Sequence, residues 1–200
     1  MQSTLAPTGG PIEQRQHIQK EVVRLQNSFN AIYDCPVPVI AAIHGWCIGG
    51  GVDLISACDV RLAAADLKLS VRETKVGIVA DLGTLQRLPR IISAGHAAEL
   101  IYTGKDVDAE RCREIGLVNH VYESIEALHM GARSLAQEIA ANSPLVVRGV
   151  KNVLRFSEDK PIAEGLKYVG VWNSAFLLSE DLMEAMTAFM QKRAPEFKGR

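Results

Sequence analysis

Residues 47–54 read CIGGGVDL, with Gly49, Gly50 and Gly51 in a row, then Val52, then the carboxylate of Asp53. The run in front, VIAAIHG (39–45), is short and apolar, as a buried strand would be. The run behind, VDLISACD (52–59), has the composition of a helix with an acid in its first turn, where the dipole favours negative charge. Together they predict a strand–turn–helix element. Glycine there opens backbone angles closed to other residues and allows a ligand to approach the main chain. A helix N-terminus also leaves N–H groups unpaired, so it can hold an oxygen on which negative charge develops. A tight turn that needs glycine only for packing explains the same residues. The order is not the G-x-G-x-x-G of a dinucleotide site.

Two further acids follow at short range: Glu73 in SVRETKVGI and Asp81 in VADLGTLQRLP. Asp81 has Ile78, Val79 and Ala80 before it and Leu82 after it. A carboxyl group desolvated by such neighbours holds its proton more tightly, as a proton-transfer group needs. Asp81 as an N-cap for LGTLQRL is the competing reading. Asp53 as a helix-end charge competes in the same way with Asp53 as a working acid.

Working outward, Ile18, Val22, Leu25, Phe29 and Ile32 recur at steps of four and three and predict a helix from Ile12, stopped by CPVP (35–38). Met1 to Pro11, rich in Gly, Pro, Ser and Thr, reads as a flexible lead-in. VRLAAA and LKLS predict two short strands. SAGHAAELIYTG and DAERCREIG predict helices closed by Gly104 and Gly116. LVNHVY reads as a strand, and a long helix capped by Ser124 follows it. From Pro144 onward the pattern is mostly helical. Strands interleaved with helices indicate an α/β architecture. The expected division is a core over 12–140 and a C-terminal helical region over 141–200.

The net charge of −1 argues against nucleic acid or an anionic membrane as partner, since both require clustered Lys and Arg. Cys35, Cys47, Cys58 and Cys112 show no paired spacing and read as reduced thiols of a cytoplasmic chain. No apolar run is long enough to span a membrane. The start lacks the charged and apolar regions of a signal peptide. No His/Cys cluster has metal-ligand spacing, so no metal is expected. His44 has no nucleophile partner at a recognised spacing and reads as a core histidine. Val169, Val171, Trp172, Phe176, Leu177, Leu178, Met183, Met186 and Phe189 give the C-terminal stretch an apolar face that needs a partner.

The stretch AAIHGWCIGGGVDLISACDVRLAAADLKLSVRETKVGIVADLGTLQRLPR, with TGKDVDAERCREIGLVNHV, ANSPLVV and AFMQKRAPEFKGR further on, resembles the crotonase superfamily of enoyl-CoA hydratases and isomerases. The similarity runs from about Gln26 to the C-terminus. It implies a spiral of ββα units with a C-terminal helical trimerisation region, hence a homotrimer or hexamer. In the family's hydratases the positions matching Asp53 and Glu73 are both glutamate, and glycine usually matches Asp81. The set Asp53, Glu73, Asp81, with GGGVDL and GTLQRLP, is instead similar to the Δ3,5-Δ2,4-dienoyl-CoA isomerase branch of fatty-acid β-oxidation.

That resemblance implies an acyl-CoA thioester substrate and no cofactor, coenzyme A being part of the substrate. Glu73 would exchange the proton at C2 and Asp81 the proton at C6, two carbons too far apart for one carboxylate. Asp53 would orient or tune the site, with its carboxylate facing the acyl pocket. The Gly50 N–H would hold the thioester oxygen. Gly49 would contact the substrate, and Trp46 either lines the acyl pocket or only covers the loop. Lys192 and Arg193 read as cations at a helix end, with contact to a coenzyme A phosphate, by resemblance to the family's C-terminal basic stretch, as the second reading. The family's A-x-x-D-like segment, which supplies a second oxyanion donor, is not found in Met1 to Gln16. The resemblance therefore implies an N-terminally shortened fold with part of the coenzyme A pocket missing. An enoyl-CoA hydratase and a non-catalytic or RNA-associated homologue are the two readings that stand beside the isomerase.

Overall fold

The computed structural model describes residues 10–200. Of the expected lead-in, positions 1–9 lie outside the described residues, and Pro11 is already helical. Proline suits the first turn of a helix, where its missing N–H costs nothing, and α1 runs Pro11–Tyr33 from a Gly10 N-cap. It stops before CPVP, as the prolines require.

The chain then winds through short strands and helices: β1 (Ile40–Ile43), β2 (Trp46–Ile48), α2 (Gly50–Ala57), β3 (Val60–Ala64) and β4 (Lys68–Ser70). A 3₁₀ segment, Glu73–Val76, leads to α3 (Thr84–Ile91), α4 (Ala94–Thr103), β5 (Val107–Asp108), α5 (Ala109–Glu114), β6 (His120–Tyr122) and α6 (Ile125–Ala140). α7 (Pro144–Ser157), α8 (Ile162–Phe176) and α9 (Glu180–Gln191) complete it.

Among the described residues two three-stranded sheets form, in the orders β1-β3-β6 and β2-β4-β5. The first is parallel throughout, with Ala42 opposite Leu62 and Ala63 opposite Val121. In the second, β2 and β4 are parallel and β5 returns antiparallel. The first four strands alternate between the sheets, β5 stays in the second beside β4, and β6 returns to the first, which is the spiral of ββα units expected. β3 is buried at four of its five positions, as a strand of a parallel sheet covered on both faces must be. Arg61 survives there because its Nε donates to Leu117 O and its Nη1 to Cys58 O, both at 2.8 Å. Gly104 and Gly116 both take positive φ behind α4 and α5, as C-terminal glycines do.

Some expectations shift. The LVNHVY strand shrinks to His120–Tyr122, because Leu117 and Val118 are used in closing α5 on Cys112 O. The apolar stripe of α1 is real, but no residue of that helix is fully buried. His44 is exposed and lies edge-on to His129 at 6.3 Å between rings, so it is not a core histidine.

The chain divides into two units. Of the described residues, one unit holds 10–35 together with Val39–His129, and contains both sheets. The other holds Pro36–Pro38 and Met130–Arg200 and is helical. In the helical unit Ser143 and Ser179 cap α7 and α9 by accepting from Val146 N and Leu182 N. A Cβ at Gly149 would lie 2.6 Å from the Trp172 indole nitrogen, so α7 and α8 pack through that glycine. Among the described residues, no helix is long and apolar enough to cross a membrane.

Candidate active site

β2 delivers the chain to Gly49, where it turns sharply. Gly49 has φ +54 and ψ −116, a combination that L side chains rarely adopt. A Cβ there would also lie 3.2 Å from Glu73 Oε1. The turn thus brings main chain against a carboxylate with no side chain between them. Gly49 N donates to Ser70 O at 3.1 Å, which pins the turn to the end of β4. α2 starts at Gly50 without a side-chain cap, so its first N–H groups have no intrahelical acceptor. A Cβ at Gly50 would meet nothing within 4 Å, so space beside that amide is open.

Glu73 is buried, and its Oε2 has no hydrogen-bond partner among the described residues. Buried polar groups are nearly always paired, so an orphaned oxygen marks either stored cost or a functional group. Glu73 lines a cavity of about 610 Å³. The rest of the wall is mostly apolar: Gly77–Ala80 of the following loop and side chains of α3 and α4, among them Leu85, Ala97 and Ile101, with Thr74 and Tyr102 adding hydroxyls. Among the described residues that line it, Glu73 alone carries a charge.

The three acids do not converge in the expected way. Asp53 is 1% exposed, and its Oδ1 accepts from both Thr84 N and Thr84 Oγ1 at 2.7 Å. It is not among the residues lining the cavity. Its carboxylate caps α3 from the neighbouring helix, a task for which Asp81 was the candidate. Asp81 is exposed, directly after the lining residue Ala80. Of the apolar neighbours expected to bury it, Ile78 is 58% and Val79 75% exposed, while Ala80 turns inward. Sequence proximity to apolar residues does not desolvate an acid when the loop turns those residues outward. Trp46 is 66% exposed and is not among the cavity's lining residues. Lys192 lies in the helical unit as the C-cap of α9, with φ 53. Arg193 beside it is paired with Glu184, and this pairing holds the Glu184 carboxyl down at about 2.

Burial pushes the Cys47 thiol up to about 11 and that of Cys112 to about 12. Cys47 sits under the glycine turn, 3.2 Å from where a Gly51 Cβ would lie. Both are packing residues, since the thiolate is the nucleophile. A second cavity, of about 420 Å³, lies within the helical unit. Its carboxylate, Asp181, is occupied by Ser143 Oγ and the Lys198 and Gly199 N–H groups. Thr84 and Gln26, whose side chain donates to Asp81 O at 2.7 Å, are site residues that sequence reading missed. Their partners lie 31 and 55 positions away, beyond the reach of any local pattern.

The model of the family described as enoyl-CoA hydratase/isomerase matches residues 8–200. The chain belongs to that family. Its relatives include the mitochondrial Δ(3,5)-Δ(2,4)-dienoyl-CoA isomerase of Dictyostelium discoideum, 52% identical over 90% of this chain and 61% of that protein. The peroxisomal protein of the same name from Arabidopsis thaliana is 46% identical over 91% of this chain and 66% of its own length. The mitochondrial Homo sapiens protein of that name is 40% identical, over 94% and 58%. The chain thus spans about 60% of the length of the curated relatives it matches. Among solved structures, an enoyl-CoA hydratase from Bacillus anthracis superimposes with a TM-score of 0.88 at 35% identity, over 92% of this chain and 71% of that one. This enoyl-CoA hydratase/isomerase family member therefore has the crotonase fold that the strand alternation indicated.

Proposed function

We propose that the chain carries the centre of a 3,5-dienoyl-CoA to 2,4-dienoyl-CoA isomerase. The observation that carries this reading is Glu73: one buried carboxylate with an unpaired oxygen, on a mostly apolar cavity, against a glycine turn that opens a helix. The dienoyl-CoA isomerase names of the relatives support the same reaction. In it Glu73 takes a proton from C2, and the pair of double bonds shifts as electron density reaches the thioester oxygen. The Gly50 N–H, at the dipole's positive end, holds that oxygen, a contact whose loss typically costs about 10²–10³ in rate. Asp81 returns a proton at C6, and the two acids recover their starting states by exchange with water. No cofactor takes part.

A hydratase needs two acids around one water. Here Asp53 Oδ1 is engaged by Thr84, which leaves Glu73 as the acid on the cavity wall and disfavours that alternative. Trp46, exposed on β2, is proposed as an outlying contact of the acyl chain. The relatives are named mitochondrial and peroxisomal, so an organelle is a better-supported compartment than the cytoplasm. The exposed apolar side chains of the helical unit, Leu178, Phe189 and Ile162 among them, support a trimer or a hexamer. Light scattering at micromolar concentration is expected to give a multiple of the chain mass, and a monomer contradicts it. The reaction itself is tested by following ultraviolet absorbance with 3,5-dienoyl-CoA and, separately, with 2-enoyl-CoA. Conversion of the first alone is expected. Hydration of the second with no conversion of the first overturns the reading.

A further inference from the structure

We infer that Gln26 and Thr84 are positioning residues that fix the main chain carrying Asp81; the inference rests on the isomerase reading, in which Asp81 serves the far carbon. Residues 77–83 join the 3₁₀ segment to α3 and lie between two glycines of positive φ, Gly77 at 76° and Gly83 at 127°. A connection of this kind on the surface is ordinarily mobile. This one is held at three points. Gln26 Nε2, from α1, donates to Asp81 O at 2.7 Å. Arg87 Nη1 approaches Leu82 O at 3.4 Å, while its Nη2 donates to Asn30 Oδ1 at 2.6 Å and its guanidinium lies over the Tyr33 ring. Thr84 N and Oγ1 both donate to Asp53 Oδ1 at 2.7 Å.

Main-chain or cap groups of residues 81, 82 and 84 are therefore tied to α1 on one side and α2 on the other. α2 is the helix whose first amide faces open space beside Glu73's glycine turn. One helix thus sets the place of the oxyanion donor and, through Asp53 and Thr84, the C-terminal root of the loop that carries Asp81. Ordering a glutamine side chain on one loop carbonyl costs rotamer entropy that a freely placed loop would not incur. In a transfer that uses two acids at two carbons, a misplacement of about 1 Å costs on the order of 10²-fold in rate.

The test uses Gln26→Ala and Thr84→Val, with Thr84→Ser as the conservative control, and 3,5-dienoyl-CoA in deuterium oxide. Two rates are read from one sample: deuterium entry at C2 of recovered substrate, and conversion to the 2,4-dienoyl product. Both disruptive variants are expected to convert at least about tenfold more slowly at unchanged KM, with C2 exchange within about twofold of the parent and Thr84→Ser restored. Both rates falling together, or conversion unaffected, overturns the inference. Amide hydrogen exchange supplies a readout independent of activity: residues 77–84 are expected to exchange at least about tenfold faster in both variants, and β3 at its parental rate. If the parent converts no dienoyl-CoA, the isomerase reading fails, and amide exchange alone decides the clamp. Unchanged protection over 77–84 in both variants overturns it.

Discussion

Asp53 and Glu73 are both buried acids of the same unit, one in the first turn of α2 and one at the start of the 3₁₀ segment. Around Asp53 the neighbouring helix supplies a backbone N–H and a hydroxyl, each at 2.7 Å. Around Glu73 no donor reaches Oε2 among the described residues, and the wall beyond is mostly apolar. Burial alone therefore does not identify a working acid. What separates the two is whether the fold supplies hydrogen-bond donors: Asp53 Oδ1 takes two and is engaged in holding α3, whereas Glu73 Oε2 has none among the described residues. Asp181 in the helical unit repeats the Asp53 pattern, with Ser143 and two tail N–H groups on its oxygens.

The contrast is broken most severely at Glu73. Glu73→Gln removes the proton acceptor and keeps the shape, so conversion of 3,5-dienoyl-CoA is expected to fall about 10²–10⁴-fold. Its urea midpoint is expected to hold or rise, since an amide is cheaper to bury unpaired than a carboxylate. At Asp53 the effect moves to stability. Asp53→Ala leaves the buried Thr84 N–H and hydroxyl without their acceptor, a loss of about 1–3 kcal/mol, read as a lower urea midpoint at unchanged slope.

The smallest effect is expected at Glu184. Arg193 holds its folded-state carboxyl at about 2, below the ordinary 4.5. A depressed carboxyl contributes stability that is present above the unfolded value and lost as pH falls through the folded one. The parent is therefore expected to lose that contribution between about pH 4.5 and pH 2. Arg193→Ala is expected to flatten this part of the stability profile. The pair is exposed, so the change in urea midpoint is expected to be slight and to shrink in high salt.

Much of the frame was legible from residues alone. GGG before an acid announced the strand–turn–helix, and Gly104 and Gly116 announced two helix ends, because glycine at positive φ is a local requirement. The family resemblance extended this to a spiral of ββα units followed by a helical C-terminal region. The burial expected of Asp81 is not found because Ile78 and Val79 face outward, a fact set by the course of the loop and not by composition. Asp53's true partner was hidden for the same reason: Thr84 meets it only after α2 and α3 have packed. The orphaned oxygen of Glu73 had no sequence signal beyond the acid itself.

The claim that the unpaired acid works and the paired acid builds is tested most directly by comparing Glu73→Gln with Asp53→Asn in one experiment: deuterium entry at C2 of 3,5-dienoyl-CoA. An asparagine oxygen can still accept from Thr84 N and Oγ1, so Asp53→Asn is expected to exchange within about threefold of the parent, whereas Glu73→Gln loses about 10²-fold or more. The reverse pattern, with exchange abolished by Asp53→Asn and retained by Glu73→Gln, would contradict the account.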